Sequence, residues 1–319
     1  RMKKAEALID ELIHKHALPL NYKDLVGDYL WPLVQDMSAI YKKRSALEQY
    51  DETPWIVGLQ GTQGSGKSTV SLFIKTMLEK CFDYNVVILS IDDFYYTHQE
   101  RLDLSKTIHP LLCTRGVPGT HDVSLIHKVL QQLADIKTGE HCFIPRFNKA
   151  IDDRYEKNEW QKVEDKVDIV IFEGWCMGMP AQSYSALLSP LNELEKNEDE
   201  DGRWRQYVNQ QLLTEYADVF KYIENLIVLQ APSFKCVYQW RLLQEEKLKK
   251  NVETKDTSDC SSEIRIQSPD QIQRFVSHYE RLTRHGLSVL SEEASWVLTL
   301  DKVHNMKSLY RNNNLVRLE

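Results

Sequence analysis

The sequence has no paired cysteines. Six are spread along 319 residues (Cys81, Cys113, Cys142, Cys176, Cys236 and Cys260), none in C-x-x-C spacing. That argues against a zinc site and for reduced thiols. It also lacks any run of about 18 consecutive apolar residues, the length that crosses a bilayer. Its first residues are mixed and charged, unlike a signal peptide. Positive charge is not in excess: the formal net charge is −7 and the isoelectric point about 5.9. The surface as a whole therefore offers no footprint for nucleic acid. No internal repeat is present. These absences predict a cytoplasmic protein whose partner is neither nucleic acid nor membrane. What is there is ordinary for a globular chain with an ample core, 42% hydrophobic and 27% charged residues.

The most informative stretch is residues 55–78. A short apolar run, Trp55 to Leu59, reads as a buried strand, and Val70, Leu72, Phe73, Ile74, Met77 and Leu78 form a helical stripe. Between them lies G-x-x-x-x-G-K-S: Gly61, Thr62, Gln63, Gly64, Ser65, Gly66, Lys67 and Ser68, followed by Thr69. Glycines there let backbone N–H groups curl around phosphate oxygens, and the new helix points its positive end at the same anion. Lys67 reaches the β- and γ-phosphates, and the Ser68 hydroxyl ligates Mg²⁺. A strand before the motif and a helix after it are what this mechanism requires, so the stretch reads as a nucleoside triphosphate site.

Around it, apolar runs alternate with helical patterns. Residues 3–15 and 23–44 read as amphipathic helices, better explained as a cap on the core than as a docking arm. Val86 to Ile91, Val167 to Phe172, Leu226 to Leu229 and Trp296 to Leu300 read as further buried strands. Asp122 is placed to cap a helix from Val123 to Leu133. Residues 193–201, with six acidic residues, read as a solvated insertion, and residues 251–269 as a mobile polar loop. The alternation predicts an α/β fold, a doubly wound parallel sheet of the P-loop NTPase type with helices on both faces.

In such sheets ligands bind at the C-terminal ends of the strands. Asp92 and Asp93 end one strand and Glu173 ends another. Either aspartate can take an acceptor's hydroxyl proton or hold metal; Asp92, first off the strand, is preferred as the base. Glu173 stands where a Walker-B-type acid contacts Mg²⁺, directly or through water. Asp168 starts the same strand about 5 × 3.3 Å away and reads as structural. Arg115, Arg146 and Arg154 sit in loops that overhang the site, where an anionic acceptor needs a cation. His121 and Trp175 are further candidates for contact with the acceptor, with a purely structural place the equal alternative for each. Arg241, on a helix after the fourth strand, reads from the sequence alone as a surface charge, with a phosphoryl clamp as the alternative.

Six stretches occur in order: Gly61–Ser68, Ile91-Asp-Asp-Phe-Tyr95, Arg115-Gly-Val-Pro-Gly-Thr-His-Asp122, Pro145-Arg-Phe-Asn-Lys149, Phe172-Glu-Gly-Trp175 and Val237-Tyr-Gln-Trp-Arg-Leu242. Together they resemble the plant and fungal-type D-glycerate 3-kinase family, a branch of the P-loop kinases that includes pantothenate kinase, uridine kinase and phosphoribulokinase. The resemblance implies ATP- and Mg²⁺-dependent phosphorylation of a hydroxyl on a small hydroxy acid. It puts Asp92 at the family's base, Glu173 at its second acid and Arg241 on the lid helix, with Lys67 at the phosphates. Asp93, Tyr95, Arg115, His121, Arg146 and Trp175 become candidates for the acceptor side. Asp152-Asp153-Arg154 matches the expected G-D-R run only in part. Residues 1–50 are then an N-terminal helical extension, 51–305 the kinase domain and 306–319 a tail. A nucleoside- or pantothenate-like acceptor, and an ATP-binding regulatory protein without turnover, are the competing readings.

Overall fold

The computed structural model describes residues 4–47, 53–253, 268–312 and 314–316. Most of the polar loop expected at 251–269 lies outside the described residues. Eleven strands occur among the described residues: β1 (Trp55–Gly61), β2 (Val86–Ser90), β3 (His141–Ile144), β4 (Phe147–Asn148), β5 (Asp153–Arg154), β6 (Gln161–Glu164), β7 (Ile169–Gly174), β8 (Asn225–Gln230), β9 (Trp296–Leu300), β10 (Met306–Arg311) and β11 (Asn314–Leu315). Seven form one sheet in the order β11-β10-β9-β8-β1-β7-β2. From β2 to β9 all neighbours are parallel, and β10 and β11 are antiparallel. The sheet thus continues past residue 305, where the domain was expected to end.

The central strands read as unbroken apolar runs because both faces are covered. Every residue of β1 and β7 is buried. Successive side chains enter opposite layers. From β7, Ile169 and Ile171 join one core, with the P-loop helix Lys67–Phe82 and the N-terminal helices. Val170 and Phe172 join the other, beneath the helix Val123–Asp135. The N-terminal helices Glu6–Lys15 and Trp31–Ser45 bury Ile9, Leu33, Val34 and Met37 in the first core. Polar ties fasten them as well. Tyr41 donates to Asp168 (2.8 Å), Trp296 Nε1 donates to Asp36 (2.8 Å), and Arg44 forks onto Glu224. Asp168 also accepts the Asn85 N–H, so it braces the rim opposite the phosphate loop.

The acidic stretch 193–201 is solvated only in part: Glu193, Glu198, Glu200 and Asp201 are exposed, but two of its acids turn inward. Glu195 is fully buried, and both its oxygens pair with the Arg281 guanidinium (2.7 and 2.6 Å). Asp199, also buried, accepts from the Arg205 guanidinium and from the Trp204 backbone. Charge counting along the chain missed this because both arginines come from other helices, Arg203–Leu213 and Pro269–Glu293.

Candidate active site

Register builds the site. Leu59 of β1 and Ser90 of β2 both stand opposite Glu173 of β7. With strands about 4.8 Å apart, the turn after β2, the phosphate loop after β1 and Glu173 share one rim. Gly174 makes the approach possible: a Cβ there would stand 2.6 Å from Ile91 Cγ2, in the turn that carries Asp92 and Asp93.

The phosphate loop closes with Ser65 N–H on Thr62 O (3.1 Å) and Val70 N–H on Gly66 O (3.0 Å). Gly64 and Gly66 adopt φ of +76° and +86°. The first N–H groups of the long helix that follows have no intrahelical partner, which makes its start an anion site. Ser68 Oγ donates to Glu173 Oε1 at 3.1 Å. Three buried oxygens here lack a partner among the described residues: Thr62 Oγ1, Ser65 Oγ and Glu173 Oε2. Buried polar atoms are rarely left so. The donor set is what Mg²⁺ takes, hard oxygens about 2.1 Å from the ion and so about 3 Å apart in adjacent positions. The residues present therefore fit a magnesium-bound triphosphate.

Asp92 sits at the centre of the acidic cluster. Its Oδ1 accepts from Tyr95 OH (3.0 Å) and its Oδ2 from Lys149 Nζ (2.6 Å). Burial alone would raise its pKa, but the charges of Lys149 and Lys67 outweigh it and hold the carboxyl well below the usual range. Asp93 differs. Burial pushes it up to about 6, opposed by the Phe147 N–H it accepts and assisted by the charge of Asp92. Lys149 is raised in turn, Asp92 overcoming its desolvation.

The other expected residues divide. Tyr95 is buried, with its ring 4.4 Å from that of His121. Arg115 pairs with Asp152 and lies over the Phe147 ring, its charge felt at Tyr95. Arg154 donates to the Tyr95 carbonyl (2.8 Å) and faces Asp122 (3.5 Å). Arg146 is not drawn into the cluster; it is exposed, over the Tyr155 ring. Trp175, read equally as a wall of the acceptor pocket or as core packing, is core. Its indole N–H goes to Gly116 O (3.0 Å) and its ring meets Tyr279 edge-on, so it props the 115–122 loop from beneath.

Arg241 is tied to the phosphate loop through its neighbour. Trp240, buried, stacks on His304 (4.2 Å), and His304 Nε2 donates to Gly64 O (2.7 Å). A Cβ on Gly64 would meet Trp240 Cβ at 3.0 Å and the Arg241 backbone nitrogen at 3.7 Å. The Arg241 guanidinium lies over Phe275. Sequence reasoning missed this clasp, and it missed Lys149 and Arg101. Fully buried Arg101 ties Tyr96 O, Cys113 O and Asp152 O together, joining three loops. The Pro145–Lys149 run was the one available signal for Lys149.

No family model matches the sequence. The protein named uncharacterized kinase mug58 of Schizosaccharomyces pombe is 36% identical over 234 residues, 71% of this chain and 78% of its own length. The chloroplastic D-glycerate 3-kinase of Arabidopsis thaliana is 29% identical over 269 residues, 81% of this chain and 52% of its own. The chain belongs to the D-glycerate 3-kinase-related branch of the P-loop kinases. The structure of D-glycerate 3-kinase from Cryptococcus neoformans superposes with a TM-score of 0.66 at 23% identity, over 88% of this kinase and 99% of the other chain. That likeness establishes the shared fold. No described helix of this kinase is long and apolar enough to cross a membrane.

Proposed function

We propose that this kinase transfers the γ-phosphoryl group of ATP, with Mg²⁺, to a hydroxyl of D-glycerate. The observation that carries the phosphoryl-transfer reading is the convergence of Ser68, Glu173 and Asp92 beside Lys67. Two residues suited to metal touch at 3.1 Å, and an ionised carboxylate lies in the field of the phosphate-loop lysine.

Each residue then has a task. Backbone N–H groups from Gly61 to Thr69 and the Lys67 ammonium bind and orient the phosphates. Ser68 and Glu173 would hold Mg²⁺, which when bound neutralises charge on the phosphate oxygens. Asp92 takes the hydroxyl proton and Arg241 clamps the transferring group. Asp93 is the stronger base by its environment, but position is the first requirement of a general base, and Asp92 lies in the field of Lys67. Arg115 and Lys149, both cationic and both beside Asp92's cluster, support an acceptor with a carboxylate.

The test is an ADP-release screen over hydroxy acids, nucleosides and pantothenate, with Asp92→Asn as the blank. Turnover with D-glycerate that the blank abolishes is expected. Turnover confined to a nucleoside or pantothenate refutes the acceptor, and ATP binding without turnover on any compound refutes the enzyme.

A further inference from the structure

His121 and Tyr216 form a buried pair that phosphate binding leaves unexplained. Tyr216 lies in the short helix Glu215–Phe220 and is fully buried. Its oxygen accepts the Gly119 N–H (3.0 Å). A phenol has one proton and two lone pairs. With the Gly119 N–H on one lone pair and no other hydrogen-bond acceptor on the hydroxyl among the described residues, the proton is directed to His121 Nδ1, 2.5 Å away. Nδ1 is then an acceptor, and a neutral imidazole carries its N–H at Nε2.

That Nε2 is buried and has no partner among the described residues. A buried N–H is costly to leave unpaired, so the site is incomplete as it stands. The ring stacks on Tyr95, whose hydroxyl holds Asp92, and the charge of Asp92 is felt at the imidazole. Burial pushes His121 down to about 3, so it stays neutral. With Nδ1 occupied by Tyr216, it has no lone pair to act as a base. What remains is one fixed N–H donor beside the carboxylate that meets the acceptor.

We propose that Tyr216 locks His121 as the Nε2–H tautomer, and that this N–H donates to a non-reacting oxygen of the acceptor, its carboxylate. His121 is then a specificity residue and Tyr216 the residue that positions it. The proposal rests on the kinase reading above and adds to it a donor that selects the acceptor.

Two measurements test it. In protein ¹⁵N-labelled at histidine, with His121→Gln used for assignment, Nε2 should be protonated and Nδ1 bare between pH 6 and 8. Tyr216→Phe should admit the other tautomer. A protonated Nδ1 in the wild type overturns the proposal. With D-glycerate as probe, Tyr216→Phe and His121→Phe should raise its KM by ~10-fold or more while the KM for ATP changes less than ~2-fold. His121→Gln, which keeps an N–H at similar reach, should recover most of the loss. If these variants lower the melting temperature and leave the D-glycerate KM unchanged, the pair is structural and the inference fails. If the wild type does not phosphorylate D-glycerate, the acceptor reading fails, and the tautomer measurement still decides what Tyr216 does.

Discussion

Replacing Lys149 by Met removes the cation that keeps Asp92 ionised. The two side chains meet at 2.6 Å, with Asp92 19% exposed and Lys149 59% exposed. A unit-charge pair at about 4 Å is worth ~1 kcal/mol in water and ~4 kcal/mol at an effective dielectric constant near 20. The exposure of Lys149 pulls the value toward the lower figure, leaving ~1.5–3 kcal/mol, or ~1–2 pH units. Burial opposes ionisation of Asp92, so losing Lys149 must move its pKa upward. The acid limb of the Asp92 carboxyl titration, followed by ¹³C NMR from pH 7 downwards with Asp92→Asn for assignment, therefore moves up by that amount. Lys149→Arg keeps the cation and should leave the limb within ~0.5 unit of the wild type. A limb that stays put in Lys149→Met, or moves to lower pH, refutes the pairing.

Asp92→Asn should leave ATP affinity nearly intact while kcat falls by ~10²–10⁴-fold; if Asp93→Asn shows that pattern in its place, the two roles are exchanged. Asp93, raised to about 6 by burial, takes up a proton on folding between its ordinary carboxylate pKa and 6. The stability of the wild type relative to Asp93→Asn should therefore rise as pH falls from 7 to 5 in urea titrations, and a flat difference means the group is not raised. Glu173→Gln should increase the Mg²⁺ concentration for half-maximal rate by ~10–100-fold, and an unchanged requirement removes Glu173 from the metal site. Gly64→Ala, at φ +76° with Trp240 Cβ in its way, should destabilise by ~1–3 kcal/mol. Gly66→Ala, at φ +86° with open space around it, should cost only the backbone strain; equal unfolding midpoints would show that the Trp240 contact is not a tight one.

The phosphate loop, the buried strands and the acids that end them were legible in the residues because each is a local pattern. Two-sided burial makes β1 and β7 apolar throughout, and the loop's chemistry needs glycine, lysine and serine at fixed spacing. Convergence of Asp92 with Glu173 followed once the strands were known to be parallel, since parallel strands end on one rim.

What only the folded chain decided was partnership between distant segments. Arg146 and Arg115 are alike in sequence, yet Arg115 joins the acidic cluster and Arg146 stays outside it. Trp175 lies two positions past Glu173 but turns into the core. Lys149 neutralises a carboxylate 57 positions away, Tyr216 orients a histidine 95 positions away, and Arg281 buries Glu195 from another helix. Charge and hydrogen bonding act through space, with a strength set by distance and burial. Spacing along the chain records neither until the sheet register and the helix packing fix which loops meet.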